Sequence, residues 1–396
     1  MLVVLISDVL NMFFFDRAFR PFFLGGSLFS VVVMVLWFAN YPQQIMPFSG
    51  VAPMFWHAHE MVFGYALATV TGFLLTAVMN WSGERTASGK PLVILLLLWA
   101  AARLGYLLNF PINLIAIADI GFNVGLFLLF FIPVYRQKLW VQIGLASKFF
   151  LLIIANGLFY AGVLGWWEHG EQAAIILGLF LVLAINLTMI RRLVPFFTEK
   201  ALKLAEFRSS KLVDGVALGG FLALMLVAAF TPQSWLMAVI AFPLAMLHAL
   251  RLVWWYHPGI WQVTLLWPLH LSYLFMIIGI LMFGFAGLGW VSSSIAIHAL
   301  AAGGIGLLCS SMMARISLGH TNRNVFAPPR GVVWVFVLLA LTAVVRVFFP
   351  LVLPEYYLIW IGLSQIGWVA AFLLLTVLYL PILWQPNLPK HPGLER

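Results

Sequence analysis

The segment AAIILGLFLVLAINLTMI, residues 173–190, is followed directly by RRLVPFFTEKALKLAEFRSSKL, residues 191–212. The first stretch carries no charge. The second holds Arg191, Arg192, Lys200, Lys203, Arg208 and Lys211 against Glu199 and Glu206. A bilayer core of roughly 30 Å is crossed by about 20 apolar residues in a helix, so the first stretch reads as a span and the second as its basic, membrane-flanking exit. Working outward, five further apolar runs precede this junction, at 20–40, 54–79, 91–108, 112–134 and 142–165. Six follow it, at 213–231, 235–256, 264–286, 291–314, 332–349 and 357–380. Breakers mark the gaps, among them Ser82-Gly83, Phe110-Pro111, Thr231-Pro232 and His257-Pro258-Gly259. The expected fold is an all-α, multi-pass membrane bundle of about twelve transmembrane helices. Its single transmembrane domain, 1–396, comprises six spans over 20–190, the linker 191–212 and six spans over 213–380.

Composition agrees, since 64% hydrophobic against 8% charged residues leaves too little polar surface to cover a soluble globule. The lone cysteine, Cys309, excludes an internal disulfide and paired-cysteine metal motifs. Residues 1–15 lack a basic leader and a small-residue cleavage site, contain Asp8 and Asn11, and are expected to be an interfacial lead-in rather than a signal peptide.

Orientation follows from the loops. Arg17/Arg20, Arg85/Lys90, Arg136/Lys138, the central linker, the Arg251 end, Arg315/Arg323/Arg330 and Lys390/Arg396 alternate with loops that contain no Lys or Arg. The positive-inside rule then puts both termini and the linker in the cytoplasm. The net charge of +9 is thereby accounted for by topology and attraction to anionic lipid, with no nucleic-acid partner implied.

Ionisable residues inside spans are costly and mark candidate sites. Histidine dominates: His57, His59, His248, His257, His270, His298 and His320 lie in or beside spans, while His169 and His391 lie in a loop and a tail. Counting from span starts near Ser234 and Thr264, His248 sits about 21 Å down one helix and His270 about 9 Å up the next, which is one level in a core of roughly 30 Å. That pair is placed to bind the two faces of a haem or to share a metal, with Arg251 available to a propionate and Trp254, Trp267 and Tyr273 as flat walls. The plainer alternative is a set of hydrogen-bonded structural histidines, a snorkelling arginine and an aromatic belt. A second set, His57, His59, Glu60 and His298, lies toward the opposite face. There His57 and His59, two apart, point to different sides of a helix, while His57 and Glu60 share one. Cys309, Met312 and Met313 continue the His298 stripe, soft ligands of the kind copper takes, although simple packing gives the same stripe. Gly303, Gly304 and Gly306 admit either a neighbouring helix or a flat cofactor. Arg103 and Asp119, on adjacent spans, are expected to pair.

Taken together, FRPFF at 19–23, WHAHEMVFG at 56–64, RRLVPFFTEKAL at 191–202, His248 with Arg251, LH at 269–270, IHALAAGGIG at 297–306 and MARISLGHTNR at 313–323 resemble the NnrS family over nearly the whole chain. The resemblance implies a bacterial inner-membrane protein of the nitric oxide and nitrosative stress response that contains haem b and copper. Its motif positions fall on His57, His59, Glu60, His248, Arg251, His270, His298, Arg315 and His320, and it does not settle which of them hold haem and which copper; with the depth reading above, His248, His270, Arg251 and Tyr273 are the expected cofactor site and His57, His59, Glu60, His298 and His320 the expected metal ligands. Nitric oxide or a related small molecule, the lipid bilayer and an electron donor such as a quinol or a cytochrome are the implied partners. Whether the protein turns its ligand over stays open. A twelve-span secondary transporter, with the histidines, Glu60 and Asp119 as proton or metal-substrate sites, is the alternative from another class.

Overall fold

A computed structural model describes residues 13–43, 46, 48–232 and 234–389. The expected lead-in before residue 13, together with Lys390, His391 and Arg396, lies outside them. Among the described residues, twelve helices are long and apolar enough to cross a membrane: α1 Phe19–Asn40, α2 Pro53–Ser82, α3 Lys90–Leu107, α4 Ile112–Arg136, α5 Trp140–Val163, α6 Gly170–Leu202, α7 Lys211–Phe230, α8 Trp235–Trp255, α9 Trp267–Gly287, α10 Ser293–Gly319, α11 Val332–Val352 and α12 Pro354–Trp384. No strand occurs among the described residues. The protein is an integral membrane protein, and helices are the structure in which a lipid-facing backbone can satisfy its own polar groups. Leu97, Ile117, Met246 and Leu341 stand exposed on these helices, as a surface solvated by acyl chains requires.

Local sequence sets the helix ends. Ser210, Ser234 and Ser292 cap α7, α8 and α10 by accepting from the backbone N–H of Val213, Leu236 and Ser294. Gly83, at φ +74°, ends α2 in the left-handed conformation that glycine adopts without strain. The apolar runs and the helices differ most at the centre. Helix α6 continues past the apolar stretch to Leu202 with Pro195 inside it, so the segment 191–212 is half helix and only residues 203–210 form the connection. Hydropathy marks where lipid ends, whereas a helix stops where its capping and packing stop.

Two spans contain a seven-residue π-helical stretch, Glu60–Ala66 in α2 and Ala299–Ile305 in α10, each starting directly after a histidine. Such stretches widen the helix and re-aim the side chains around them. The chain divides into two compact units: one takes in the chain to Gly178, Arg315–Asn324 and the segment from Thr376, the other Leu179–Ala314 and Val325–Leu375.

Candidate functional site

In the first unit the π-helical stretch of α2 delivers His59 and Glu60 into a buried polar cluster. His59 Nδ1 lies 2.9 Å from Glu60 Oε1, and its Nε2 lies 2.9 Å from Asn156 Oδ1 and 3.4 Å from Asp119 Oδ2. Arg103 bridges the carboxylates, with Nε 3.0 Å from Glu60 Oε2 and Nη2 bonded to Asp119. Asp119 Oδ2 also accepts from Asn156 Nδ2 at 2.9 Å and from the Tyr160 hydroxyl at 3.0 Å, and Tyr106 donates to Tyr160 at 3.2 Å. Gly64 lets this happen: a Cβ there would meet the Phe29 ring and Arg103 Nη1, so only glycine allows the guanidinium so near the helix. Two carboxylates face one guanidinium and one imidazole, which lets the cluster be electrically neutral and so tolerable in a low dielectric. The expected Arg103–Asp119 pair is present. His59 joins it with both ring nitrogens aimed at protein oxygens.

His57 lies apart from that cluster, stacked on Trp37 at 4.6 Å with the rings 7° from parallel. Hence His57 and Glu60 do not act together, despite their i,i+3 spacing. The turn widens at Glu60 and sends it to His59 and Arg103 instead.

In the second unit, His298 ends the first α-helical part of α10. Its Nδ1 lies 2.7 Å from the Ser294 carbonyl and its Nε2 3.4 Å from Arg346 Nη2. The glycines after it are filled by side chains of α9: a Cβ on Gly303 would strike Phe275, and one on Gly304 would strike Met276. Helix packing, one of the two readings of that run, is what the fold uses. Cys309, Met312 and Met313 are buried in the same helix.

The other candidate centre is built from α6 to α9 of this unit. His248 on α8 is 1% exposed; its Nδ1 lies 2.7 Å from the Tyr273 hydroxyl of α9, and its Nε2 is buried and closes no hydrogen bond of good geometry, with the Ala217 backbone of α7 beside the ring. Below it, Arg251 Nη2 lies 3.3 Å from Asp214 Oδ1 of α7, while Arg191 Nη1 of α6 lies 3.1 Å from Asp214 Oδ2. The Arg251 guanidinium also sits 4.8 Å above the Trp255 ring. Its charge is therefore met by an acid on the next helix, a partner that spacing within α8 does not reveal. Two guanidiniums on one carboxylate leave a positive excess beside His248.

His270 does not share the level of His248. Helix α9 begins at Trp267, so His270 is three residues into it, about 4.5 Å, and Tyr273 six residues, about 9 Å. His248 is seven residues from the end of α8 at Trp255, about 10 Å, so Tyr273 meets it and His270 falls short. His270 faces backbone instead, with Nδ1 3.3 Å from the Leu266 carbonyl and Nε2 3.3 Å from that of Trp255. Counting from Thr264 placed it too deep, because residues 263–266 form a turn rather than helix.

His320 follows the end of α10 in the first unit, its Nδ1 3.4 Å from Arg17 Nη1. Burial, and then the Arg17 charge, hold it down to about 4, so it is neutral at pH 7. Among the described residues, no group of three or more His, Cys, Asp or Glu side chains is arranged to hold a metal ion; His59, Glu60 and Asp119 are near one another but turned to each other and to Arg103. A family model described as NnrS protein matches residues 13–387. No curated protein shows significant similarity to the chain.

Proposed function

The chain belongs to the NnrS family, and from that membership we propose that it is a haem-binding membrane protein of the nitric oxide response, with His248 as the single protein ligand to the haem iron. One observation carries the assignment: Nε2 of His248 is fully buried and closes no hydrogen bond of good geometry, the Ala217 backbone lying beside the ring, while Nδ1 is fixed by Tyr273. A ligating histidine has this arrangement, one nitrogen oriented by a hydrogen bond and the other presenting its lone pair. An unfilled imidazole nitrogen in the membrane interior is otherwise a cost.

Bound haem would supply an iron able to take a small diatomic ligand, with His248 as the residue that would hold it. The chain's own residues supply the surroundings. Tyr273 sets the orientation of the imidazole, and Trp255 stacks on Tyr273 at 5.5 Å, which limits its movement. Arg251 and Arg191, sharing Asp214, supply net positive charge that favours an anionic substituent nearby. His270 faces the Leu266 and Trp255 carbonyls with its two nitrogens and is not assigned to holding the haem. For copper, His57, His59, Glu60, His298 and His320 each have partners of their own and do not form a set, so no role is derived for that metal.

A second reading is favoured by the first unit. Glu60 and Asp119 are carboxylates buried within spans and hydrogen-bonded to His59, Asn156 and Tyr160, with Tyr106 donating to Tyr160 in turn, the kind of polar chain a proton-coupled carrier uses.

The deciding experiment is the visible spectrum of detergent-purified protein, oxidised, reduced and with nitric oxide, beside iron and copper analysis. The haem reading expects a b-type spectrum that shifts with nitric oxide, disappears in His248→Ala and survives in His270→Ala. Iron-free, colourless protein from haem-replete cells would overturn it and put the carrier first.

A further inference from the structure

A chain of contacts leads from His248 back to the N-terminal end of α7. Ser210 caps that helix and puts Asp214 in its first turn, where the helix dipole favours a carboxylate. Arg208, in the connection before α7, lies 4.6 Å over the Trp254 ring of α8, so the start of α7 is tied to α8. The two oxygens of Asp214 are divided between neighbouring helices. Oδ1 is 3.3 Å from Arg251 Nη2 of α8, and Oδ2 is 3.1 Å from Arg191 Nη1 of α6. Side-chain exposure falls along this row, from 38% at Arg191 through 13% at Asp214 to 4% at Arg251.

Arg251 is where the row of charges meets the imidazole. Its guanidinium lies 4.8 Å over the Trp255 ring and 5.8 Å over that of Tyr273, and those two rings stack on each other at 5.5 Å. The Tyr273 hydroxyl in turn is 2.7 Å from His248 Nδ1. A cation so near the phenol makes its oxygen a poorer acceptor, and in a low dielectric the effect is large unless an anion offsets it. Asp214 is that anion. A long arginine side chain without one turns toward the polar boundary, so the same carboxylate also keeps Arg251 over the two rings. When Nε2 of a histidine holds a metal, Nδ1 carries the proton, and the acceptor it meets there sets how strongly the imidazole donates. Asp214 therefore acts on His248 through Arg251 and Tyr273, without touching the metal side of the ring.

Resting on the haem reading above, we infer that Asp214 is a positioning residue of that site: it fixes Arg251 beside Tyr273 and so sets the strength of the bond from His248 to the iron, while Arg191 opposes it by drawing on the same carboxylate. The test reads the iron–histidine stretch by resonance Raman spectroscopy of the reduced, detergent-purified full chain, and the midpoint potential by redox titration. Asp214→Asn keeps an oxygen for Arg251 but removes the charge, so the stretch should fall in frequency and the potential should rise. Arg191→Gln leaves the whole carboxylate to Arg251, and both shifts should reverse. Asp214→Glu should lie closer to the unaltered protein than Asp214→Asn does. A role in stability alone would lower haem content and leave both readouts of the remaining haem in place, which would overturn the inference, as would shifts of one sign in Asp214→Asn and Arg191→Gln. Should Asp214→Asn lose all its haem, Arg191→Gln, at the exposed end of the row, carries the test by the sign of its own shifts. Colourless protein would sink the haem reading alone. The 15N resonance of His248, identified by its loss in His248→Gln, should then still move in opposite directions in the two variants, and an unmoved resonance would overturn the role of Asp214.

Discussion

At the scale of single residues, the membrane interior makes each polar atom's partner decisive. Asp119 is met by Arg103, Asn156 and Tyr160, so Asp119→Ala leaves the Arg103 charge with Glu60 alone. Unfolding in detergent should register a loss of about 3–5 kcal/mol, the range for breaking one side of a buried pair. Removing both charges at once, in Arg103→Met/Asp119→Leu, should cost less than the single change, because no buried charge is left alone. His320 gives a pH dependence with a definite sign. Its folded value of about 4 lies below the ordinary 6.5, so the unfolded chain takes up the proton first. Its share of stability is therefore present above pH 6.5 and is lost as pH falls toward 4. His320→Asn should flatten the acid limb of a plot of melting midpoint against pH in that window. None of these partners is a sequence neighbour apart from Glu60 beside His59, which is why composition could nominate the residues but not sort them.

At the scale of helices, the two π-helical stretches and the glycines of α10 set which faces meet. Gly303→Ala would drive a methyl into the base of the Phe275 side chain, which cannot swing away from its own backbone. Overpacking of this kind costs about 1–3 kcal/mol, and Phe275→Ala in the same chain should recover part of the lost melting temperature. In α2, deleting Met61 from the stretch Glu60–Ala66 would restore α-helical winding and turn the preceding residues by about 100° relative to those after it. His59 and Glu60 would leave Arg103 and Asp119, and the deletion should lower the melting midpoint at least as much as Asp119→Ala. Element lengths were legible in the apolar runs to within a few residues, except at α6, where helix continues through a basic segment. Depth was legible only where the helix start was right: three residues of turn before Trp267 were enough to exchange His270 for Tyr273 as the neighbour of His248.

At the scale of the whole molecule, the alternation of basic and base-free loops predicts sidedness that labelling can test. Cysteines placed at Ser88 or Lys138 should react with an impermeant maleimide only in inside-out vesicles, and cysteines at Glu168 or Glu355 only in intact cells. The native thiol, Cys309, is buried and should stay silent. Reaction of both sets from the same side would refute the arrangement. The sequence by itself determined the all-helical membrane architecture, because 64% hydrophobic residues in runs of bilayer length have no other way to satisfy their backbone. It also determined the family, through motifs spread along the chain. Tertiary structure alone decided the partners of the candidate site residues. Whether an imidazole is free or filled depends on atoms many residues away: Tyr273 on His248, Asp214 on Arg251, Asp119 on His59. Hydrophobicity is a property each residue carries with it, but a hydrogen bond belongs to a pair, and only the packed helices bring the pairs together.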